Sequence, residues 1–81
     1  MRVTVRVFAR LREIVGAGEL EREAPAGATI AAVWRGLVAD YPALAPYTSS
    51  VSAARNLEYA PMATPVGEGD EIAFLPPVSG G

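Results

Sequence analysis

The stretch that most restricts how this chain can fold is Thr29 to Tyr41. Ile30, Val33, Trp34, Leu37, Val38 and Tyr41 recur at i, i+3, i+4, i+7, i+8 and i+11, which places them on one stripe of an α-helix. Thr29 stands where an N-cap hydroxyl is wanted, and Pro42 ends the pattern. Ala32 at the third helical position leaves a reciprocal capping box unmade, and Gly36 in the interior costs about 1 kcal/mol relative to Ala. Such a helix depends on packing, and its stripe needs a sheet to lie on. Trp34 and Tyr41 are in phase with the aliphatic residues, so they read as core aromatics and not as a cofactor-stacking pair.

The flanking segments supply that sheet. Arg2 to Phe8 alternates with a period of two, Val3, Val5 and Val7 on one face and Arg2, Thr4, Arg6 and Phe8 on the other. Ala9 to Val15 reads as a short helical turn at most, closed by Gly16. Glu19 to Ala24 sets three Glu on one face and Leu20, Arg22 and Ala24 on the other, the pattern of a solvated edge strand; alternate carboxylates without further oxygen ligands hold calcium poorly. Pro42 to Pro46 is a connection with room for one further turn. Val51–Ala54 and Leu57–Ala60 are short strand candidates around an Arg55-Asn56 turn, and Glu71–Leu75 is the last strand. The turn Gly67-Glu68-Gly69-Asp70 lacks the Lys and the following helix of a phosphate-binding loop. A hairpin, a helix crossing one face and a returning strand form an α+β roll on a mixed sheet, with first and last strands parallel neighbours under the right-handed crossover rule. Val3, Val5, Val7, Ile72 and Phe74 then meet the helix, while Phe8, Ala73 and Leu75 share the opposite face. An apolar patch there reads as a docking surface, with Phe8 and Leu75 as its residues.

At 81 residues, 51% of them hydrophobic and 20% charged, the expectation is one globular domain over residues 1–81. No His, Cys or Lys is present, which removes the usual base near neutral pH, the sulfur and amine nucleophiles, and zinc or iron–sulfur sites; no metal is assigned. The net charge of −2, without a basic stripe, argues against nucleic acid as a partner, and no apolar run approaches the roughly 20 residues a membrane helix needs. Met1 to Val5 starts in strand-like alternation with no signal-peptide pattern, so the expected location is the cytoplasm.

After the last strand come Pro76-Pro77-Val78-Ser79-Gly80-Gly81. Two prolines favour an extended spur, six residues reach roughly 20 Å, and Gly80 and Gly81 have no Cβ to obstruct a narrow channel. The shape suits delivery of a terminal carboxyl group; by composition alone an ordinary disordered tail reads the same way. Ser79 to Gly81 are expected to be mobile in the free protein and to order on insertion into a partner.

Phe8-Ala9-Arg10-Leu11-Arg12-Glu13, together with Gly69-Asp70-Glu71-Ile72-Ala73-Phe74-Leu75-Pro76-Pro77-Val78-Ser79-Gly80-Gly81, resembles the small subunit of molybdopterin synthase across the whole domain. The Pro-Pro-Val-Ser-Gly-Gly end is the specific part, since a bare Gly-Gly end also occurs in the thiamine sulfur carrier and in ubiquitin. The resemblance implies a β-grasp, ubiquitin-like fold and a carrier that is no enzyme on its own and holds no cofactor stably. It further implies that Gly81 is adenylated with ATP by a ubiquitin-activating-type partner enzyme and becomes a thiocarboxylate. Residues Pro76, Pro77, Val78, Ser79 and Gly80 would then enter the large synthase subunit, where sulfur passes to a cyclic pterin phosphate on the way to the molybdenum cofactor. Gly67 and Ala63 stand where members of this family commonly carry charge, which sets charged contacts at those two places apart from the resemblance. A carrier for thiamine or tRNA thiolation, a ubiquitin-like modifier and a plain interaction module are the alternatives.

Overall fold

The computed structural model describes residues 1–77, and the expectations attached to Val78, Ser79, Gly80 and Gly81 lie outside the described residues. The elements are β1 (Arg2–Val7), α1 (Ala9–Val15), β2 (Glu19–Glu23), α2 (Ile30–Asp40), a 3-10 helix at Pro42–Tyr47, β3 (Ser52–Arg55), β4 (Glu58–Tyr59) and β5 (Glu71–Leu75). The sheet order is β2-β1-β5-β3-β4. β1 is antiparallel to β2 and parallel to β5, and β3 is antiparallel to both β5 and β4. The sheet is mixed, as the roll requires, and β2 with its Glu row is an edge.

α2 begins where its sequence signals it, with the Thr29 hydroxyl accepting from the Ala32 N–H at 3.2 Å. Its Ile30, Val33, Trp34 and Leu37 are buried against Val3, Val5, Val7, Ile72 and Phe74, while Val38 and Tyr41 pack half-buried at the margin. Trp34 tilts against Phe74 with ring centroids 5.0 Å apart and donates its indole N–H to the Thr48 hydroxyl at 3.0 Å, so its polar edge is satisfied inside the core. The oddities of Gly36 and Arg22 explain one another. Arg22 pairs across the hairpin with Val3 and so points to the helix side, where it donates to Asp40 and to the Gly36 carbonyl. A Cβ on Gly36 would meet the Arg22 guanidinium at 3.4 Å, so a larger side chain would displace this clasp.

Two expectations need correction. Ala9–Val15 is a seven-residue α-helix and not merely a turn: it fills the loop of the β1–β2 hairpin, buries Leu11 completely and ends on Gly16 at φ +86°. Its stability comes from Leu11 reaching a core shared with Leu44 of the 3-10 helix, a contact between segments far apart in sequence. The β3–β4 turn is also displaced by one residue. Asn56 takes the left-handed conformation, at φ +50°, as a turn there requires, and Leu57 at φ +74° joins it in the turn in place of Arg55, which belongs to β3. Asn56 is pinned there by partners fifteen residues on: its N–H donates to the Glu71 carbonyl and its side-chain oxygen accepts from the Glu71 N–H.

Asp70 completes this arrangement. Its carboxylate accepts from Arg55 Nε at 2.7 Å, Asn56 Nδ2 at 3.1 Å and the Gly67 N–H at 2.6 Å, so it ties the β3–β4 turn to the turn before β5. The Arg55 hydrogen bond leads in holding this carboxyl below its ordinary value, helped by Asn56 and Gly67 against the opposing effect of burial.

A depressed carboxyl pKa means stability that is present above the unfolded value and lost as pH falls through the folded one. Asp70→Asn is therefore expected to cost about 1–3 kcal/mol at neutral pH, the range for charge-assisted hydrogen bonds, with the gap from wild type closing at an acid pH below the ordinary carboxylate value. Urea unfolding at both pH values checks this; a gap independent of pH would contradict it. Leu57 is highly exposed and loses no core contact on removal, yet it holds a conformation that costs a side-chain residue about 1–2 kcal/mol. Leu57→Gly should accordingly raise stability by roughly 1 kcal/mol, read as a rise of several degrees in Tm.

Candidate functional site

β1 and β5 run side by side in the same direction, and their register decides what stands at the root of the tail. Thr4 is level with Glu71, Arg6 with Ala73 and Val7 with Phe74. Phe8 continues the extended path at φ −130°, ψ 159°, which brings it to the level of Leu75 on the face away from α2. There the chain turns sharply: Ala9 has φ +51°, and the Phe8 carbonyl accepts from the Leu11 N–H at 3.0 Å to open α1. Phe8 stays 38% exposed, with the Arg6 guanidinium 5.7 Å from its ring centroid, a cation–π contact.

Leu75 is the last residue of β5, half-buried and directly across from Ser52 of β3. Ala73 is across from Ala54, which in turn is across from Tyr59 of β4. Phe8, Ala73, Leu75, Ala54 and Tyr59 therefore share one sheet face, and no described element covers it. Sequence reasoning named Phe8 and Leu75 and missed Tyr59, which is 80% exposed. The signal was present in the short strand Leu57–Ala60, but its face could not be assigned before its register with Ala54 was known. A concavity of about 310 Å³ lies between Tyr59, Ser50, Ser52, Leu75, Pro76 and Pro77, so Pro76 and Pro77 leave the domain along a shelf of mixed polar and apolar character. Pro76 is half-buried and Pro77 exposed.

Chemically, the described part of this site offers contact area and no reactive group. Neither a His, a Cys nor a Lys occurs in the sequence, and no group of three or more His, Cys, Asp or Glu among the described residues is arranged to hold a metal ion. Among the described residues no helix is long and apolar enough to cross a membrane. Asp70, the best-satisfied carboxylate, is spent on the turn network. The arrangement can present a strand end and its continuation to another protein.

Known proteins share this architecture. The molybdopterin synthase sulfur carrier subunit of Arabidopsis thaliana is 38% identical over 79 residues, covering 98% of this chain and 82% of that protein. The solution structure of small archaeal modifier protein 1 from Methanosarcina acetivorans superposes with a TM-score of 0.82 at 30% identity, covering 99% of this chain and 96% of that one. One chain of the complex of subunits 1 and 2 of the molybdopterin-converting factor from Helicobacter pylori matches with a TM-score of 0.70 at 26% identity over the full length of both chains. The fold is the ubiquitin-like β-grasp. With the family model matched over residues 5–81, nearly its whole length, the chain belongs to the ThiS family.

Proposed function

We propose that this protein is the sulfur-carrier subunit of a molybdopterin synthase, with the Gly81 carboxylate as its carrier group. The observation that carries this reading is the convergence of Phe8, Leu75 and Tyr59 on an uncovered sheet face at the point where β5 leads into Pro76-Pro77. A carrier needs a docking face beside the segment it delivers. Its relative in Arabidopsis is named for this role, and its structural neighbour in Helicobacter stands in a complex with a second subunit.

The chemistry suits a chain without nucleophiles. A carboxylate is a poor acyl donor; attack of the Gly81 carboxylate on the α-phosphate of ATP expels pyrophosphate and leaves an acyl adenylate. A sulfur nucleophile from outside the chain then displaces AMP to give the thiocarboxylate. ATP is held by the adenylating partner and not by this chain, which acts in the cytoplasm as a non-catalytic subunit of the sulfurtransferase. The large synthase subunit receives the tail and passes sulfur to cyclic pyranopterin monophosphate. Similarity to an archaeal modifier protein favours a second reading, attachment to target lysines; lacking Lys, this chain could form no polymers on its own side chains.

Deleting Gly81 or appending one Ala should abolish activation and leave the fold intact. Intact mass after incubation with ATP, the adenylating enzyme and a sulfide source reads the outcome: wild type exchanges one oxygen for sulfur, and a variant that does the same removes Gly81 from its role. Leu75→Asp should weaken the complex with the large subunit by about 1.5–3 kcal/mol, the worth of burying one such side chain, or roughly 10- to 100-fold in Kd. Calorimetry measures the affinity and thermal unfolding the fold. A large fall in Tm with affinity retained would place Leu75 in the core and out of the interface.

A further inference from the structure

The open sheet face has a second half, and its charges are unbalanced. Cross-strand pairing puts Glu19, Glu21 and Glu23 of β2 opposite Arg6, Thr4 and Arg2 of β1, with Glu71 of β5 beyond Thr4. Two of the seven arginines and four of the nine carboxylates thus lie on this face, leaving five of each elsewhere. These side chains carry a net charge of −2 beside the Phe8, Leu75 and Tyr59 patch, with the N-terminal ammonium 3.9 Å from Glu23 at one end of the row.

These carboxylates are also under-used. Arg2 is shared between Glu21 at 3.4 Å and Glu23 at 3.1 Å. Arg6 stands 3.9 Å from both Glu19 and Glu71, too far for a hydrogen bond, and is drawn over the Phe8 ring instead. Its Nε is buried with no partner among the described residues. Glu19, Glu21 and Glu71 each form a charge contact and accept no side-chain hydrogen bond from the described residues, so their oxygens remain available to an incoming donor. Residues two apart on a strand are separated by about 7 Å, so Glu19, Glu21 and Glu23 form a straight, evenly spaced acidic row along the sheet edge.

We propose that this row is the electrostatic half of the docking face, and that it selects a partner presenting arginine or lysine side chains beside an apolar socket for Phe8, Leu75 and Tyr59. This deepens the docking reading above and rests on it. The apolar half contributes contact energy. The acidic half orients the approaching partner and turns away surfaces that are acidic next to their apolar socket, because exposed rim charges act mainly on association rate.

Stopped-flow association with the large subunit of molybdopterin synthase, using the full chain, tests the proposal. Glu19→Gln, Glu21→Gln and Glu23→Gln combined should slow association about tenfold at low salt with dissociation nearly unchanged. The difference should vanish in about 1 M salt, where the Debye length falls to about 3 Å. Arg2→Gln should act in the opposite sense and speed association about two- to threefold, a change that no loss of fold would produce. Leu75→Asp run alongside separates the two readings. If it weakens binding while the glutamate and Arg2 variants associate like wild type at low salt, the charge proposal is overturned and the docking face stands. If it binds like wild type, the open face is not the interface and both fall.

Discussion

The packing of the α2 stripe on the parallel pair β1 and β5 is the contact from which the remaining geometry follows. Trp34 against Phe74, with Ile30 and Leu37 over Val3, Val5 and Val7, commits the inner positions of both central strands to one side of the sheet. Since side chains alternate along a strand, that commitment leaves Arg6, Phe8, Ala73 and Leu75 on the other side with no second layer over them. A slip of one residue between β1 and β5 would bury Arg6 and expose Val5 and Val7, so the core enforces the open face as firmly as it enforces itself.

The edges of the sheet meet different demands. At β2 the alternation of Glu outward with Leu20, Arg22 and Ala24 towards the helix lets a charged strand close the hairpin while Arg22 clasps α2 through the Gly36 carbonyl. A glycine that weakens the helix locally thereby permits a link between helix and sheet edge. At the other side β4 has only two residues, and backbone pairing alone would hold it weakly. Asp70 compensates by joining Arg55, Asn56 and Gly67 in one hydrogen-bonded node. That node holds the β3–β4 turn, and with it the position of Tyr59 on the open face.

Function in such a molecule rests on presentation. The described residues bring together no cluster able to hold a metal ion, and the proposed role asks for none: a carrier would present its sheet end and the segment that follows to partners that supply the chemistry. The open face has adjacent apolar and acidic halves, to which the proposed docking would give contact energy and orientation, and they meet at Phe8, where the Arg6 guanidinium of the charged half lies over the aromatic ring of the apolar half.

The sequence alone determined the elements whose signals are local and periodic. The α2 stripe with its Thr29 cap, the alternation in β1 and the bounds of β5 are dictated by residues within a few positions of one another, and from them came the roll, the buried face and the outward placement of Phe8 and Leu75. The tertiary structure alone decided what depends on partners distant along the chain. Leu11 makes Ala9–Val15 a helix by reaching a core shared with Leu44; Asn56 turns where Glu71 and Asp70 hold it; Tyr59 joins the open face because Ala54 is its cross-strand neighbour. Periodicity shows which residues of one segment share a face. Only register between segments shows which faces they share with each other, and here register is set by the core and by the hydrogen bonds of a single buried carboxylate.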